Sequence, residues 1–332
     1  MSRRNRDLAK TAGFILLLIG SVVSAPALAQ VTGLAENGWN TWRAAGVASA
    51  PELCCYSWKG RSNGRQGCNL DGRNGGFGTS SDAPGSGDDV QIFVHLADGK
   101  VTAIRALSAS CPVTVNAPVH DLGVIAADDS VAWLGDFVTP GNDLASAAIL
   151  AVAVHQGDNA VALLLETAQR STEHEQREDA IFWMSQVRVE ETAGELRQFI
   201  FADADARIRK HAAFSYSQSA AGDVPEVLVR QGRDDPDPDV RSQAWFWLAQ
   251  SGAVEAEPAI GQAMRDDVDE DVREDAVFAL SQLPEERAIK VLGAILEDSG
   301  MAREVREQAL FWLAQMESDA AFDYIDKILS SN

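Results

Sequence analysis

Five pairs of a phenylalanine and a glutamine recur through the second half of the chain, and their chemistry suits peptide recognition. In each pair the glutamine follows the phenylalanine by four residues, so both lie on one side of a helix. A ring can hold an apolar side chain, and an amide can bond a peptide backbone as donor and acceptor. The pairs are Phe182 and Gln186, Phe214 and Gln218, Phe246 and Gln250, Phe278 and Gln282, and Phe311 and Gln315.

Two acidic loops hold the other residues whose spacing could support chemistry. The segments "DDPDPD" (234–239) and "DDVDED" (266–271) each place three aspartates at alternate positions, as calcium-binding loops do. Neither loop has glycine at its sixth position, and Phe246 and Phe278 stand where the twelfth position needs glutamate. The pattern therefore favours helix capping by Asp239 and Asp271, with calcium binding as the alternative.

Motifs of common enzyme classes are missing from the sequence. The five histidines are scattered, and no glycine-rich nucleotide loop, nucleophile elbow or zinc-binding helix pattern occurs. We therefore expect no catalytic residue, no metal site and no cofactor.

The phenylalanine–glutamine pairs are positioned by an internal repeat. The segments that contain them begin at spacings of 32, 32, 32 and 33 residues, at Arg177, Arg209, Arg241, Arg273 and Arg306. Each segment follows an acidic turn and a second stretch with helical periodicity. Such helix pairs bury their apolar faces only by stacking on neighbours. The sequence therefore predicts an all-α solenoid over residues 141–332, with about five helix pairs and an unpaired helix at each end.

The segments "DPDVRSQA", "DEDVREDA" and "REVREQA" resemble the Asp-x-x-Val-Arg-x-x-Ala signature of HEAT repeats, in the short HEAT-like class first noted in phycobilisome lyase subunits. The resemblance covers residues 141–332. It implies that the second-helix arginine pairs with an acidic residue near the preceding loop, which gives Asp239 with Arg241 and Asp271 with Arg273. It also implies that the second helices line a concave face.

The same resemblance includes enzymes, so an enzymatic role is an alternative. Some HEAT-like proteins are di-iron hydroxylases with His–Glu pairs on matching helices. This chain has one such pair, His174–Glu175, which we predict to lie in a loop, so a di-iron ligand set is incomplete. Lyase chemistry is implied by the repeat class alone.

A helical wheel of about 100° per residue separates two sides of the Arg241 segment. The core stripe is predicted to contain Val240, Ala244, Trp247 and Leu248, with Trp245 turned toward a neighbouring repeat. Phe246 falls almost opposite this stripe, and Gln250 lies beside it. Two roles follow for the strip that these residues form. The rings and amides either stack the repeats on one another or form a groove for an extended peptide, similar to that of armadillo proteins.

The N-terminal third differs in composition. Residues 1–29 have a basic start, a short apolar run and an "ALA" end, which is typical of a secretory signal peptide. We expect a periplasmic or secreted protein without an integral membrane segment after cleavage. Four cysteines then indicate structural disulfides: each of Cys54 and Cys55 is expected to join one of Cys68 and Cys111, in an open order. A metal site is the alternative.

Residues 30–136 are predicted to form a small β-rich or mixed module. The segment "VQIFVHLADGKVTAIRALS" (90–108) predicts a hairpin that turns at Asp98–Gly99. The segment "GWNTWRAAG" (38–46) is assigned to a short helix, and residues 71–89 to a long loop.

Charge limits the partners. Residues 1–29 contain four of the 28 basic and one of the 49 acidic residues, so their removal gives a net charge of −24. Such a chain repels nucleic acid. The sequence therefore predicts a non-catalytic adaptor that binds a protein or peptide through its second helices. A structural scaffold that binds through the N-terminal module is the alternative.

Overall fold

The computed structural model describes residues 31–48, 50, 52–55, 68–72, 77–80, 89–316 and 318–330. The predicted signal peptide, residues 1–29, lies outside this part of the chain. The described residues form eight strands followed by thirteen helices, which confirms the predicted fold class of a mixed N-terminal module and an α-solenoid.

The N-terminal module is built on a four-stranded sheet. Its strands are β1 (Gly38–Ala45), β2 (Glu52–Cys55), β3 (Cys68–Asn69), β4 (Phe77–Ser80), β5 (Asp89–Ala97), β6 (Lys100–Ser108), β7 (Val113–Thr114) and β8 (His120–Val124). The main sheet has the order β6-β5-β1-β8, and β2 with β4 and β3 with β7 form two smaller sheets. The β5–β6 hairpin turns at Asp98 and Gly99, which both have positive φ, as predicted.

The segment "GWNTWRAAG" contains strand β1, so its assignment to a helix is wrong. The two tryptophans are three residues apart, a spacing that suits one side of a helix. In the structure β1 is a central strand that is buried on both faces. Trp39 packs in the cluster of Cys54 and Cys111, and Trp42 packs in the core shared with the helices. Burial on both faces removed the alternation that identifies a strand.

A disulfide joins Cys54 to Cys111, with their Cα atoms 5.4 Å apart. Cys68 is also disulfide-bonded, and its sulfur lies 3.7 Å from Sγ of Cys111. The side chain of Cys55 lies outside the described residues. The observed bond agrees with the prediction that adjacent cysteines bond to distant ones.

The predicted loop 71–89 contains strand β4, while residues 73–76 and 81–88 lie outside the described part.

The helices form stacked antiparallel pairs. They are α1 (Ala127–Gly135) with α2 (Ala145–Ala153), α3 (Asp158–Arg170) with α4 (His174–Val187), α5 (Val189–Ala202) with α6 (Ala206–Ser217), α7 (Val224–Asp234) with α8 (Pro238–Gln250), α9 (Ala256–Asp266) with α10 (Glu270–Ser281), and α11 (Glu285–Glu297) with α12 (Arg303–Gln315). Helix α13 (Asp319–Ser330) packs on α11 and α12. The second helices α2 to α12 also contact one another in order. Helix α2 was expected to lack a partner, but α1 packs against it.

Hydrogen bonds join the sheet to the first helix pair. The amide of Val47 donates to the carbonyl of Val154 at 3.0 Å. The buried indole of Trp42 in β1 donates to Oγ of Ser130 in α1 at 2.8 Å. The same oxygen lies 2.8 Å from Nε2 of His155, which follows α2. One apolar core extends from the sheet through the helices. The sheet therefore covers the first end of the helical stack, as capping units do in repeat proteins.

Gly232 lets α8 pack closely against α7, because it has no side chain. A Cβ atom at Gly232 would lie 2.5 Å from Cε2 of Trp245, a side chain that is 1% exposed. We expect Gly232→Ala to lower the free energy of unfolding by about 1–3 kcal/mol, because the buried indole must be displaced. Gly194→Ala in α5 is the matched control, since a Cβ there meets no atom within 4 Å. It should stabilise the helix by about 0.5–1 kcal/mol. Urea unfolding measures both changes, and the same sign for both would contradict this explanation.

Candidate functional site

The five predicted phenylalanines lie in one continuous row of rings. Three tryptophans join them, so that eight rings follow in the order Trp183, Phe182, Phe214, Trp247, Phe246, Phe278, Trp312 and Phe311. Neighbouring centroids are 4.6 to 6.2 Å apart, within the range of favourable aromatic contacts. We call these eight residues the aromatic row. It crosses α4, α6, α8, α10 and α12, and therefore links every repeat that carries the sequence motif.

The aromatic row is open to solvent along its length. Seven of its side chains are half-buried, and Phe311 is 53% exposed. Trp247 was predicted to belong to the core stripe, and it is half-buried and packs against the core. Its indole also lies on Phe214 of the preceding second helix, with centroids 4.9 Å apart, which the sequence analysis did not predict. Trp245 is buried as expected.

The row has a period of two repeats, which the sequence analysis missed. Phe182 stacks on Phe214, and Phe246 stacks on Phe278, each with an interplanar angle of 14°. A tryptophan follows the first phenylalanine of each stacked pair, whereas Ser215 follows the second phenylalanine of the first pair. The signal was present in the sequence, since the residue after the phenylalanine alternates as Trp, Ser, Trp, Ala and Trp.

The predicted glutamines lie near the C-terminal ends of the same helices, and Gln218 and Gln282 follow directly after α6 and α10. Gln250 donates to Oε1 of Gln282 at 3.2 Å, and Gln186 donates to the carbonyl of Ser215 at 3.3 Å. Gln218 and Gln282 donate to a serine of their own helices, Ser217 and Ser281. Gln315 is exposed. The amides thus connect some neighbours, but Gln218, Gln250 and Gln315 stay open to solvent.

Two clefts border the aromatic row. The larger, about 530 Å³, has Phe214 and Trp247 in its wall. Its charged lining comes from Glu178, Arg207, Lys210, Asp239 and Asp275, and His211 also lines it. The smaller, about 330 Å³, lies beside Trp312 and is lined by Gln282 and Gln315 among others. Burial lowers the pKa of His211, so its ring is neutral at pH 7. The larger cleft therefore brings charged groups to the rings, and the smaller cleft brings the amides of Gln282 and Gln315.

A ladder of arginines and aspartates holds consecutive repeats together on the loop side of the second helices. Each arginine donates to the carboxylate of an aspartate 26 residues later, in the pairs Arg177–Asp203, Arg209–Asp235 and Arg241–Asp267. The last two pairs are bidentate at 2.8 to 2.9 Å. The aspartates also accept, through their main-chain carbonyls, from the arginine six residues later, in the pairs Asp203–Arg209, Asp235–Arg241 and Asp267–Arg273. Each aspartate therefore joins two repeats.

The predicted pairing of Arg241 with Asp239 is wrong, and Arg273 likewise contacts Asp267 and not Asp271. An aspartate two residues before the arginine lies about 200° away around the same helix, out of reach of the guanidinium. Asp239 is 3.6 Å from Lys210 instead, with its side chain 79% exposed. Among the described residues, Nε of Arg306 is buried without a hydrogen-bond partner.

Helix capping uses aspartates two positions earlier than predicted. Asp205, Asp237 and Asp269 accept amide hydrogen bonds at the starts of α6, α8 and α10, in place of Asp239 and Asp271. Asp235 and Asp267 bind arginine, so two carboxylates of each acidic loop have structural partners. Burial acts to raise the pKa of Asp267, but hydrogen bonds from Arg241 and the Asp269 amide outweigh it and lower that pKa.

Comparison with known proteins assigns the repeats. A family model for HEAT repeats matches residues 225–314. These residues, which span α7 to α12, are therefore similar to HEAT repeats. Solved structures that are similar include YibA from Escherichia coli, with 19% identity, 61% of this chain and 76% of that chain covered, and a TM-score of 0.37. Human deoxyhypusine hydroxylase in complex with glycerol has 18% identity, 59% and 77% coverage, and a TM-score of 0.26. At these TM-scores neither structure supports an argument about function. No curated protein sequence matches the chain.

The helical solenoid places His174 differently from the prediction. It is the first residue of α4 rather than part of a loop, and its Nε2 lies 2.6 Å from Asp205. Among the described residues, the group of histidine, cysteine and acidic side chains close enough to share an ion is Cys54, Cys68 and Cys111, whose sulfurs are disulfide-bonded. None of the described helices is both long enough and apolar enough to span a bilayer.

Proposed function

We propose that this protein is an exported, non-catalytic adaptor whose HEAT solenoid holds an extended segment of a partner protein on the aromatic row. A HEAT solenoid suits a scaffold or adaptor role. The observation that carries the proposal is the continuous row of eight contacting rings that remains partly exposed across five repeats. If the rings served only to pack the repeats together, full burial would stabilise the fold most, because this stabilisation grows with the apolar area removed from water. Contiguous exposed apolar surface is typical of interaction sites.

The surroundings of the row support peptide binding. Exposed amides of Gln218, Gln250 and Gln315 can donate to and accept from a peptide backbone. The rings can take apolar side chains. The net charge of −24 after removal of residues 1–29 disfavours nucleic acid as the partner. The disulfide between Cys54 and Cys111 supports an oxidising, extracytoplasmic location.

The five histidines lie apart from one another, and each has a hydrogen-bond partner within the protein. His155 is buried and bonds the carbonyl of Ala151, and His211 bonds the carbonyl of Glu178. His174 contacts Asp205. The remaining two lie in the sheet, where His95 contacts Thr102 and His120 contacts the carbonyl of Gly33. These side chains lie on different elements and do not converge on one cleft.

Site-specific photocrosslinking tests the proposal. We expect benzoylphenylalanine at Gln243, an exposed position on α8 in the larger cleft, to give a discrete partner adduct in cells. The same group at the exposed Gln262 on α9 is the control for the opposite helices and should give no such adduct. The adduct should fall about tenfold or more in the double variant Phe246→Ala, Phe278→Ala, because interface aromatics contribute most of the binding energy.

Stability must be measured beside capture, since the rings also contact one another. Phe311→Ala provides a variant with little packing to lose, because this side chain is more than half exposed. It should weaken capture while the melting temperature stays close to that of the unmodified protein. If the double variant melted much earlier yet captured its partner unchanged, the row would serve only to stack the repeats.

A further inference from the structure

Acidic side chains share the helical face of the aromatic row. In α10, Asp271, Glu274, Asp275 and Phe278 follow the spacing that places residues on one side of a helix. The corresponding faces of α8 and α12 begin with Asp239 and Glu304. All five carboxylates are exposed, and we call them the acidic band. Asp239 is the one member with a salt bridge among the described residues, to Lys210 at 3.6 Å.

Helix stabilisation accounts for only part of this band. Asp239, Asp271 and Glu304 lie in the first turns of their helices, where a negative charge is favourable. Glu274 and Asp275 lie in the second turn of α10, beyond the free amides of the helix start. Asp275 lines the same cleft as Trp247. This carboxylate therefore faces the space in which the proposed function places the partner.

We propose that the segment held on the aromatic row is basic: its apolar side chains lie on the rings, and its lysine or arginine side chains pair with the acidic band. This inference rests on the proposed function. An extended chain places alternate side chains on one face ~7 Å apart. Such side chains can lie along the aromatic row, whose neighbouring rings are 4.6 to 6.2 Å apart without a gap. In the larger cleft Arg207 pairs with Glu178 and Lys210 pairs with Asp239, whereas Asp275 has no salt bridge among the described residues. A cation there can pair with Asp275 and contact the face of Trp247.

Three synthetic peptides test the charge preference on the full mature chain. Each repeats Leu-Ser-Xaa-Ser three times, with arginine, glutamine or glutamate as Xaa, and binding is measured by fluorescence anisotropy. The arginine peptide should bind tightest and the glutamate peptide weakest, with a preference that falls as salt rises. The double variant Glu274→Gln, Asp275→Asn should lower the affinity for the arginine peptide about fivefold and leave the affinity for the glutamine peptide unchanged.

The matched control changes the net charge equally on the other helices. Glu226→Gln in α7 with Asp266→Asn in α9 removes two exposed carboxylates far from the row and should alter binding by less than about twofold. Equal weakening by both double variants would mean general attraction to an acidic protein and would overturn the inference, as would failure of the arginine peptide to bind.

The phenylalanine variant separates this inference from the proposed function. If all three peptides bound equally and lost binding in Phe246→Ala, Phe278→Ala, the row would still hold peptides, and only the charge inference would be overturned. If the arginine peptide depended on the acidic band but was indifferent to both phenylalanines, the row would not be the binding surface. That result would overturn the proposed function and, with it, the inference.

Discussion

Arg209→Met should lower the free energy of unfolding by about 3–5 kcal/mol, the largest effect expected from a single substitution in this protein. Arg209 and Asp235 form a bidentate pair at 2.8 Å, with side chains that are 9% and 3% exposed. Removal of the guanidinium leaves the Asp235 carboxylate buried without its counter-charge. The carbonyl of Asp203 also loses a hydrogen bond. Urea unfolding followed by far-ultraviolet circular dichroism measures the loss.

The next residue of the same helix provides the matched control. Lys210 pairs with the exposed Asp239 at 3.6 Å, so Lys210→Met should cost less than about 1 kcal/mol. Asp235→Asn added to Arg209→Met should restore part of the stability, because it removes the unpaired charge and keeps an oxygen for the Asp237 amide. If Arg209→Met and Lys210→Met lowered the free energy of unfolding by similar small amounts, the ladder would contribute no more to stability than surface ion pairs do.

Acidification from pH 7 to pH 5 should destabilise the protein by about 2 kcal/mol through His155 alone. Burial is the main cause that lowers the pKa of His155 from 6.5 to about 4, and the charge of Arg188 adds to it against the hydrogen bond to the Ala151 carbonyl. The neutral ring donates from Nδ1 to that carbonyl and accepts at Nε2 from Ser130. A second proton, on Nε2, would break the hydrogen bond that Ser130 donates and would place a charge in the core.

The sign follows from proton binding in the two states. Between pH 6.5 and about 4 the unfolded chain holds a proton on His155 that the folded chain excludes. The contribution of neutral His155 to the free energy of unfolding is therefore complete above pH 6.5 and is lost as the pH falls through this window. Urea midpoints of the wild type and His155→Gln at several pH values measure the difference in slope.

A second buried histidine controls for this assignment. Burial also lowers the pKa of His211, so His211→Gln should reduce the pH dependence in the same direction. The effect of His155→Gln should be the larger one, because His155 is fully buried and His211 is half-buried. Equal slopes in the wild type and His155→Gln would contradict the assignment. This histidine lies between the sheet and the first helix pair, so the capped end of the solenoid should weaken first in acid.

The aromatic row and the arginine–aspartate ladder use different parts of the second helices. The ladder joins arginines in the first turns of these helices to aspartates in the loops, and it is largely buried, so it resists separation of the repeats. The row lies along the exposed face, where its rings remain available to a partner. Because neighbouring repeats are held by the ladder and by their cores, substitutions at the exposed Phe311 can test binding without loss of the fold.

The repeat itself could be predicted from the sequence, because each unit carries its own helical periodicity and a fixed spacing of arginine, phenylalanine and glutamine. The same periodicity placed Val240, Ala244 and Leu248 in the core and Phe246 on the open face, as the structure shows. The hairpin at Asp98 and Gly99 was predictable because its turn needs positive φ. These features depend on residues that are close in the chain.

Contacts between elements were decided by the tertiary structure. Arg241 reaches Asp267 rather than Asp239 because the offset between repeats, which no single helix encodes, brings the next loop to its guanidinium. Trp247 packs on Phe214 of the preceding repeat as well as against the core, a contact that depends on how the two helices sit side by side. Strand β1 escaped prediction because two layers bury both of its faces. The sequence by itself determined the helices and their repeat, whereas the angles and offsets between packed elements determined which side chains meet.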